Sequence, residues 1–299
     1  MSVKHTAFGL CKLCGKHSQL IESHIIPRSV INWIKRTSAT GHLRSSINPE
    51  KRIQDGIKKH LLCSNCDGNL IGSSEKYFME KIFLPYHEDR SLEIDYTQQL
   101  HYFAASLAYR IILLEEESPD RRNDLDFEDF RSAKSYLRRY LLKSTSKLQG
   151  VEHFLLVTND GKNTTICDDN DTIKTTHGLP RGLVFHLLRS FDSFAFYVNN
   201  YLVTMAMLPG FIFFTVLKPR KYKGRLGKRV ETSGGKIRFE MRLLLENDIY
   251  QMLLDRSNRL SVDYMSRQQS EKLEDFISKN SNRWNNSETK KLIHSLHQD

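Results

Sequence analysis

The chain has 299 residues, of which 39% are hydrophobic and 27% are charged, and its formal net charge is +10. This composition is that of an ordinary soluble globular protein, and it excludes a chain built mainly from membrane spans. A chain of this length can bury one large core or two smaller ones, and we expect two domains. The opening stretch, MSVKHTAFGLCKLCG, lacks the apolar segment of a signal peptide, so we expect a cytoplasmic protein.

Positive charge is concentrated in the first part of the chain. Residues 1–60 contain eleven Lys and Arg against three acids, which gives +8, so the other 239 residues contribute only +2. A basic excess of this kind indicates a polyanionic partner, most simply nucleic acid. A solvated, solubilising surface would have the same composition, so charge alone does not separate the two interpretations.

Two pairs of cysteines form the first motif. Cys11 and Cys14 make one C-x-x-C, Cys63 and Cys66 make another, and Cys167 stands alone as an expected free thiol. Two such pairs about fifty residues apart, without an export signal, predict a metal site and not a disulfide framework. Four thiolates complete tetrahedral zinc and leave no open position, so the predicted Zn²⁺ is structural.

His24 lies between the two cysteine pairs, in the stretch IESHIIPRS at 21–29. His24 could be a packed core side chain, a metal ligand or a general base, and the stretch by itself leaves all three open. Glu22 lies two residues before His24, so on a strand the two side chains share a face.

The chain after Cys66 is predicted to be helical, because its apolar residues recur at helix-compatible intervals. Asp67, Ile71 and Glu75 are spaced four residues apart, so both carboxylates lie on one face. Each acid has a plain structural interpretation: Asp67 would face the helix dipole, and Glu75 would be a surface glutamate.

Two longer helices are predicted next. The segment at 97–116, TQQLHYFAASLAYRIILLEE, has helical spacing of its apolar residues over several turns. After the break SPDRRND, the segment DLDFEDFRSAKSYLRRYLLK at 124–143 predicts a second amphipathic helix. A further helical pattern begins near ENDIYQMLLDRSNRL, and the polar stretch that follows is expected to be ordered only in part.

Between these helices the sequence is rich in strand signals. HFLLVTND ends at Asp160-Gly161, SFAFYV meets YLVTMAML across Asn199-Asn200, and FIFFTVL follows Pro209-Gly210. The stretch 201–217 is apolar, but it is slightly short for a membrane span and is broken by Pro-Gly. We therefore predict a buried hairpin and no membrane segment.

A second basic cluster, KPRKYKGRLGKR at 218–229, has seven Lys and Arg in twelve residues. It could clamp phosphates while Tyr222 stacks on an unpaired base, or it could be a solvated loop between strands.

Together these elements predict an α+β fold. Residues 1–95 form a small zinc-stabilised module, residues 96–280 form a mixed helical and antiparallel-β domain of unknown role, and residues 281–299 form a polar tail.

The N-terminal module resembles the zinc-stapled HNH endonucleases, also called the ββα-metal or His-Me finger family. The resemblance lies in a C-x-x-C, a strand carrying HIIP, a loop, and LLC-x-x-C opening a helix, with a glutamate about eight residues further on. It covers roughly residues 10–83, a quarter of the chain. It implies a treble-clef-like ββα-metal fold around the zinc.

The same resemblance implies hydrolysis of phosphodiester bonds. His24 would deprotonate the attacking water, and one Mg²⁺ or Mn²⁺ held by Asp67 and Glu75, with Glu22 as a further ligand, would stabilise the leaving 3′-oxygen. The sequence departs from the family pattern at three places. Ser23 stands where an acid or histidine usually precedes the catalytic histidine, the asparagine usually found before LLC is absent, and Asp67 replaces the histidine of the helix.

Two functions follow from these observations. The first is a metal-dependent endonuclease acting on DNA, by analogy in bacterial defence against phage, whose C-terminal domain selects targets, binds a protein partner or forms a homo-oligomer. The second is a non-catalytic zinc module that binds nucleic acid or a protein. The missing acid before His24 favours the second function, and the shared face of Asp67 and Glu75 favours the first.

Overall fold

The computed structural model describes residues 7–44, 51–90, 93–117, 127–146, 148–159, 164–167, 173–176, 178–217, 222, 224–239, 243–258 and 266–296. Over these residues, helices are combined with sheets whose strands are mostly antiparallel. The predicted α+β fold class is therefore confirmed.

The N-terminal region is built on a small antiparallel sheet. Its elements in chain order are β1 (Ala7–Leu10), β2 (His17–His24), α1 (Arg28–Thr37), β3 (Leu43–Arg44), β4 (Arg52–Ile53) and β5 (Lys58–Cys63). β2 is the central strand, with β1 on one side and β5 on the other. Pro27 ends the extended stretch after β2 and precedes the first helical residue of α1, where its fixed φ suits a helix start.

The register between β2 and β5 decides which side chains share the face of His24. His24 lies opposite Lys58 and Glu22 lies opposite His60, after an irregularity in the pairing between Ile21 and Glu22. Ser23 points to the other face and is fully buried. The alternation of a strand therefore separates Ser23 from its two polar neighbours, as expected for a period of two.

A continuous helical run follows β5. It consists of a π-helical segment π1 (Asn65–Ile71), α2 (Gly72–Phe78), a second π-helical segment π2 (Met79–Phe83) and α3 (Leu84–Glu88). Its inward face carries fully buried residues, which are Cys66, Ile71, Phe78, Ile82 and Phe83. The helix predicted after Cys66 is confirmed, and the two π-helical segments are a feature that the 3.6-residue pattern did not indicate.

The next elements are β6 (Glu93–Tyr96), α4 (Gln98–Glu117) and α5 (Phe127–Leu141), and both predicted helices are confirmed. Every residue of α4 from Leu100 to Leu113 is buried, because α2, α5 and a sheet surround the helix. α4 is therefore the central helix of the molecule. An apolar stripe alone would have predicted a helix with one exposed face.

The main sheet lies against α4. Its region contains β7 (Val151–Val157), β8 (Thr164–Cys167), β9 (Ile173–Thr176), α6 (Arg181–Arg189), β10 (Asp192–Val198), β11 (Tyr201–Leu208), β12 (Phe211–Leu217) and β13 (Lys228–Arg229). Five of these strands form a sheet in the order β10-β11-β12-β7-β13. Asn199 and Asn200, both with positive φ, connect β10 to β11, and Gly210, with φ of 85°, connects β11 to β12.

These turns confirm the two predicted hairpins, because asparagine and glycine tolerate the left-handed backbone that tight turns require. The apolar stretch 201–217 is thus a buried β-hairpin. Among the described residues, no helix is long and apolar enough to cross a membrane. The turn predicted at Asp160-Gly161 lies outside the described residues.

The remaining elements are β14 (Gly235–Arg238), β15 (Leu243–Glu246), α7 (Asn247–Asn258), α8 (Arg267–Lys279), α9 (Ser281–Asn285) and α10 (Glu288–Leu296). β14 pairs with β6, and β15 pairs in parallel with β8. Leu292 of α10 packs against Val184 and Leu188 of α6, so part of the polar tail is helical and packed. One hydrophobic core contains residues from both sides of the boundary predicted near residue 95.

Candidate metal centre and histidine site

Four cysteine side chains meet where the helical run begins. Cys11 and Cys14 lie in the turn between β1 and β2, Cys63 ends β5, and Cys66 lies in the first turn of π1. Their Sγ atoms lie within 4.8 Å of one another, and those of Cys14 and Cys63 are 4.0 Å apart. Four ligands at about 2.3 Å around a tetrahedral ion are separated by about 3.8 Å. The tetrad is therefore positioned to bind a metal ion.

The backbone around the tetrad is folded to present these sulfurs. The Cys63 N–H donates a hydrogen bond of 3.3 Å to Cys11 Sγ, which ties the two cysteine pairs together. Gly15 follows Cys14 with a φ of 77°, and its N–H donates to the Cys11 carbonyl, so the chain turns tightly from β1 into β2. A glycine suits this position because other residues avoid positive φ.

The electrostatics of the tetrad favour a bound cation. Burial raises the pKa of the Cys66 thiol, and the neighbouring cysteines Cys63, Cys11 and Cys14 raise it further. Four closely packed sulfurs cannot all ionise unless a positive charge lies between them. A metal ion at the centre supplies that charge, so the donor set fits a metal better than four free thiols.

Two helices from outside the N-terminal sheet hold the first cysteine turn. Tyr109 of α4 donates its hydroxyl to the Lys12 carbonyl at 2.6 Å, and Arg138 of α5 donates from Nε to the Leu13 carbonyl at 2.5 Å. The turn that carries Cys11 and Cys14 is thus fixed against the central core. A shift of this turn would therefore alter its hydrogen bonds to α4 and α5.

His24 ends β2, and its ring faces an aspartate. His24 Nε2 is buried and lies 2.9 Å from Asp55 Oδ2, in a contact that is short but not aligned as a straight hydrogen bond. Burial opposes ionisation of Asp55. Contacts with His24, the Gly56 amide and Lys58 outweigh burial and lower the pKa of the Asp55 carboxyl. An ionised aspartate beside one ring nitrogen favours the tautomer that carries its proton there.

Lys58 joins this histidine to the acid two residues before it. Lys58 Nζ lies 2.6 Å from Glu22 Oε2 and 3.9 Å from Asp55 Oδ2. The hydrogen bond from Lys58 lowers the pKa of Glu22, whose side chain is half exposed. His24, Glu22, Asp55 and Lys58 therefore form one polar group at the end of the β2–β5 ladder, in which the Glu22 carboxylate is already paired with a lysine.

The acids of the helical run have different surroundings. Glu75 Oε1 lies 2.6 Å from Nη1 of Arg110, which comes from α4 and is only 2% exposed, in an ion pair that is close but not aligned as a hydrogen bond. The same Nη1 donates a hydrogen bond of 2.8 Å to the His24 carbonyl. Asp67 Oδ1 is buried, and no described residue hydrogen bonds to it. Arg110 thus connects the end of β2 with α2, while Asp67 retains a buried acceptor without a partner in the described part of the chain.

The structure brings the predicted site residues together only in part. The four cysteines converge, and within the described ranges they are the only group of three or more ligand atoms close enough to share a metal ion. Glu22, Asp67 and Glu75, predicted to hold a catalytic cation, do not form such a group. Glu22 is instead paired with Lys58, whose Nζ lies 2.6 Å from Glu22 Oε2.

Two residues of the site were not predicted. Asp55 could have been identified from the sequence as a candidate partner of His24, because it is one of only two acids between His24 and Asp67. Arg110 lies 86 residues from His24 in the middle of an apolar helix, where an arginine was a weaker signal. A guanidinium inside a buried helix needs a nearby acceptor or acid, and both are present here.

In the second basic cluster, the structure describes the surroundings of Tyr222. Tyr222 packs edge-on against Tyr201 and beside Phe154, and its hydroxyl lies 3.3 Å from Glu246 Oε2. The ring is therefore engaged by protein contacts, which disfavours stacking on a base. Residues 218–221 and 223 of this cluster lie outside the described residues.

Neither the family models, nor the curated proteins, nor the solved structures contain a match to this chain. The functional interpretation therefore depends on the residues and contacts described above.

Proposed function

We propose that this protein is a metal-dependent endonuclease of the HNH type that hydrolyses phosphodiester bonds in DNA. The observation that carries the proposal is the 2.9 Å contact between His24 Nε2 and Asp55 Oδ2. This contact lies at the end of β2. The neighbouring strand, β5, ends at Cys63 of the tetrad and is followed by the helical run that carries Asp67 and Glu75. A histidine with a carboxylate on one ring nitrogen is the usual arrangement of a general base and the group that orients it.

The metal of the cysteine tetrad is proposed to be a structural Zn²⁺. Four sulfur ligands suit zinc, and a site with four protein ligands leaves no position for substrate or water. Zinc would hold the turn between β1 and β2 against the start of π1. It would thereby fix the strand that ends at His24 relative to the helix that carries Glu75.

His24 acts as the base in this proposal. Asp55 keeps the proton on Nε2, so the lone pair of Nδ1 is free to accept a proton from the attacking water. The tautomer is inferred from the neighbouring carboxylate. Lys58 lies beside the pair and is partly exposed, so its ammonium is placed to attract a phosphate oxygen.

Asp67 and Glu75 are the residues that would hold a catalytic Mg²⁺ or Mn²⁺. Asp67 Oδ1 is a buried acceptor with no partner among the described residues, which fits a hard cation. Glu75 Oε1 is buried against Arg110, so the 22% of this side chain that is exposed belongs to its other atoms. Glu22 fits less well because Lys58 neutralises it. When bound, such a cation would stabilise charge on the leaving 3′-oxygen.

DNA is the proposed substrate because residues 1–60, which carry His24 and Asp55, have a net charge of +8. Arg52 on β4 is exposed and lies three residues before Asp55, whereas Lys59 on β5 is exposed but lies opposite Ser23, on the other face of the sheet from His24. Contacts of this kind neutralise phosphates without reading sequence. A role in bacterial defence, expected by analogy with stand-alone nucleases of this build, belongs to the same proposal.

A non-catalytic zinc module that binds nucleic acid or a protein partner is the second candidate. It is favoured by the ion pairs of Glu22 and Glu75 with Lys58 and Arg110, which leave fewer free carboxylates for a cation. The two candidates differ in a simple observable. A nuclease releases new strand ends, whereas a binding module retains the nucleic acid intact.

The test is to incubate zinc-loaded protein with supercoiled plasmid and Mg²⁺ or Mn²⁺. The nuclease proposal predicts nicked and linear products with 5′-phosphate and 3′-hydroxyl ends, and loss of cleavage in Glu75→Gln. Glu80→Gln is the matched control, because Glu80 lies on the same helical run and is exposed. Intact plasmid that is bound by the wild-type protein with every cation tried would establish the binding module instead.

A further inference from the structure

One arginine of α4 contacts both parts of the proposed catalytic site. Arg110 Nη1 lies 2.8 Å from the His24 carbonyl and 2.6 Å from Glu75 Oε1. Its Nε donates to the Ser106 carbonyl at 3.3 Å, and its Nη2 lies 3.5 Å from Ser106 Oγ. The guanidinium is therefore held by its own helix on one side and by the site on the other.

Because Arg110 is buried, its charge and its N–H donors need partners inside the protein. Only 2% of its side chain is exposed, and the guanidinium group brings a positive charge and five N–H donors into the interior. A buried charge of this kind is tolerated only when a partner of opposite charge and further acceptors surround it. Glu75 supplies the opposite charge, and the carbonyls of His24 and Ser106 supply acceptors.

The geometry points to a role in positioning. We propose that Arg110 is a positioning residue that fixes the end of β2 at His24 relative to Glu75 on α2, and thereby sets the base against the cation site. This inference rests on the proposed nuclease function. Arg110 contacts Glu75 at the buried Oε1, so the exposed part of the Glu75 side chain belongs to its other atoms. The contact is a close ion pair without the alignment of a hydrogen bond, and a fixed positive charge 2.6 Å from one carboxylate oxygen favours a single orientation of that carboxylate.

The position of Arg110 has a consequence for the organisation of the chain. Arg110 belongs to the central helix, which packs against the main sheet and α5. Residues 1–95 alone would therefore lack a contact on which both His24 and Glu75 depend. The proposed site is completed by the part of the chain that the sequence assigned to a separate domain.

Two substitutions separate positioning from a purely structural role. Arg110→Met removes the charge and the donors, and Arg110→Lys keeps the charge but loses the planar fork. Arg189→Met is the matched control. Arg189 is also buried, and it donates hydrogen bonds to Thr37 Oγ1 and the Ile34 carbonyl, neither of which belongs to the proposed site. All proteins are assayed at a temperature where circular dichroism shows them fully folded.

The proposal predicts that both Arg110 variants lower kcat and raise the Mn²⁺ concentration for half-maximal cleavage, each by about 10- to 100-fold. Direct titration of Mn²⁺ should show the same weakening, while zinc content and DNA affinity stay at the wild-type level. The Arg189→Met control should melt at a lower temperature with unchanged kcat and unchanged Mn²⁺ dependence. If Arg110→Met does not fold, Arg110→Lys decides the question by the same measurements.

Two outcomes would overturn the inference, and they are distinguishable. If His24→Ala abolishes cleavage while folded Arg110 variants keep the wild-type kcat and Mn²⁺ dependence, the nuclease function stands and Arg110 is structural only. If His24→Ala protein cleaves as fast as the wild type, the proposed function fails and the positioning role fails with it.

Discussion

Acidification should destabilise this protein, because three of its described histidines are buried, a fourth, His87, is partly buried, and all four are held neutral. Burial lowers the pKa of His101 and His186 to about 4 and that of His87 to about 3. Burial also lowers the pKa of His153 well below 6.5. Each value lies below that of the unfolded chain, so the unfolded state binds more protons as the pH falls through about 6.5. Stability is therefore lost toward acid and is fully present above that pH.

The magnitude follows from proton linkage. At about pH 5, an unfolded histidine is almost fully protonated, whereas one with a folded pKa of about 4 is still mostly neutral. The difference removes about 2 kcal/mol of unfolding free energy per histidine between about pH 7 and about pH 5. Four such residues reach the scale of the roughly 5–15 kcal/mol that stabilises a typical domain. We therefore expect a steep fall in stability across this interval.

The assay is urea denaturation at both pH values with zinc present, comparing wild type with His186→Gln. His186 is 4% exposed, and its Nε2 has no hydrogen-bond partner among the described residues. The acid loss should be about 2 kcal/mol smaller in this variant, because its side chain cannot titrate. His17→Gln, at an exposed position of β2, should behave like the wild type. Equal acid losses in His186→Gln and wild type would refute the reasoning.

Three further predictions concern the metal centre and the nucleic-acid site. Elemental analysis should find one zinc ion per wild-type chain, and Cys63→Ser should lose it and unfold the N-terminal region, because structural zinc contributes folding free energy directly; zinc-free protein that is fully folded would contradict this. Charge reversal at Lys51, Arg52 and Lys59 should weaken DNA binding alike for all sequences, and wild-type affinity should fall steeply with salt; affinity that is independent of salt would exclude phosphate contacts. Asp55→Asn should lower the cleavage rate by about 10²-fold or more with little change in DNA affinity, whereas unchanged single-turnover rates would remove Asp55 from the site.

Much of the fold could be predicted from local patterns. The hairpin turns at Asn199-Asn200 and Pro209-Gly210 follow from residues that accept a left-handed or pre-set backbone, and the structure has both. The cysteine tetrad was equally accessible, because spacing and the chemistry of thiolates specify a metal centre without reference to the rest of the chain. The π-helical segments on either side of α2 could not be predicted in this way, because they depend on packing against the core.

The contacts that define the histidine site required the three-dimensional structure. Asp55 meets His24 because the long connection between β2 and β5 folds back on the end of the strand. Arg110 contacts Glu75 and the His24 carbonyl because α4 packs against α2 and reaches the end of β2. Strand and helix periodicity state which face a side chain takes, but they do not state which distant residue will lie against that face.

The most direct test of the central claim, that His24 is a general base, is the single-turnover cleavage rate of His24→Ala beside His17→Ala. Both histidines lie on β2, and only His24 contacts Asp55. We predict that His24→Ala lowers the rate by about 10²- to 10⁴-fold with zinc content, melting temperature and DNA affinity near wild type, while His17→Ala cleaves normally. Wild-type cleavage by well-folded His24→Ala protein would contradict the account.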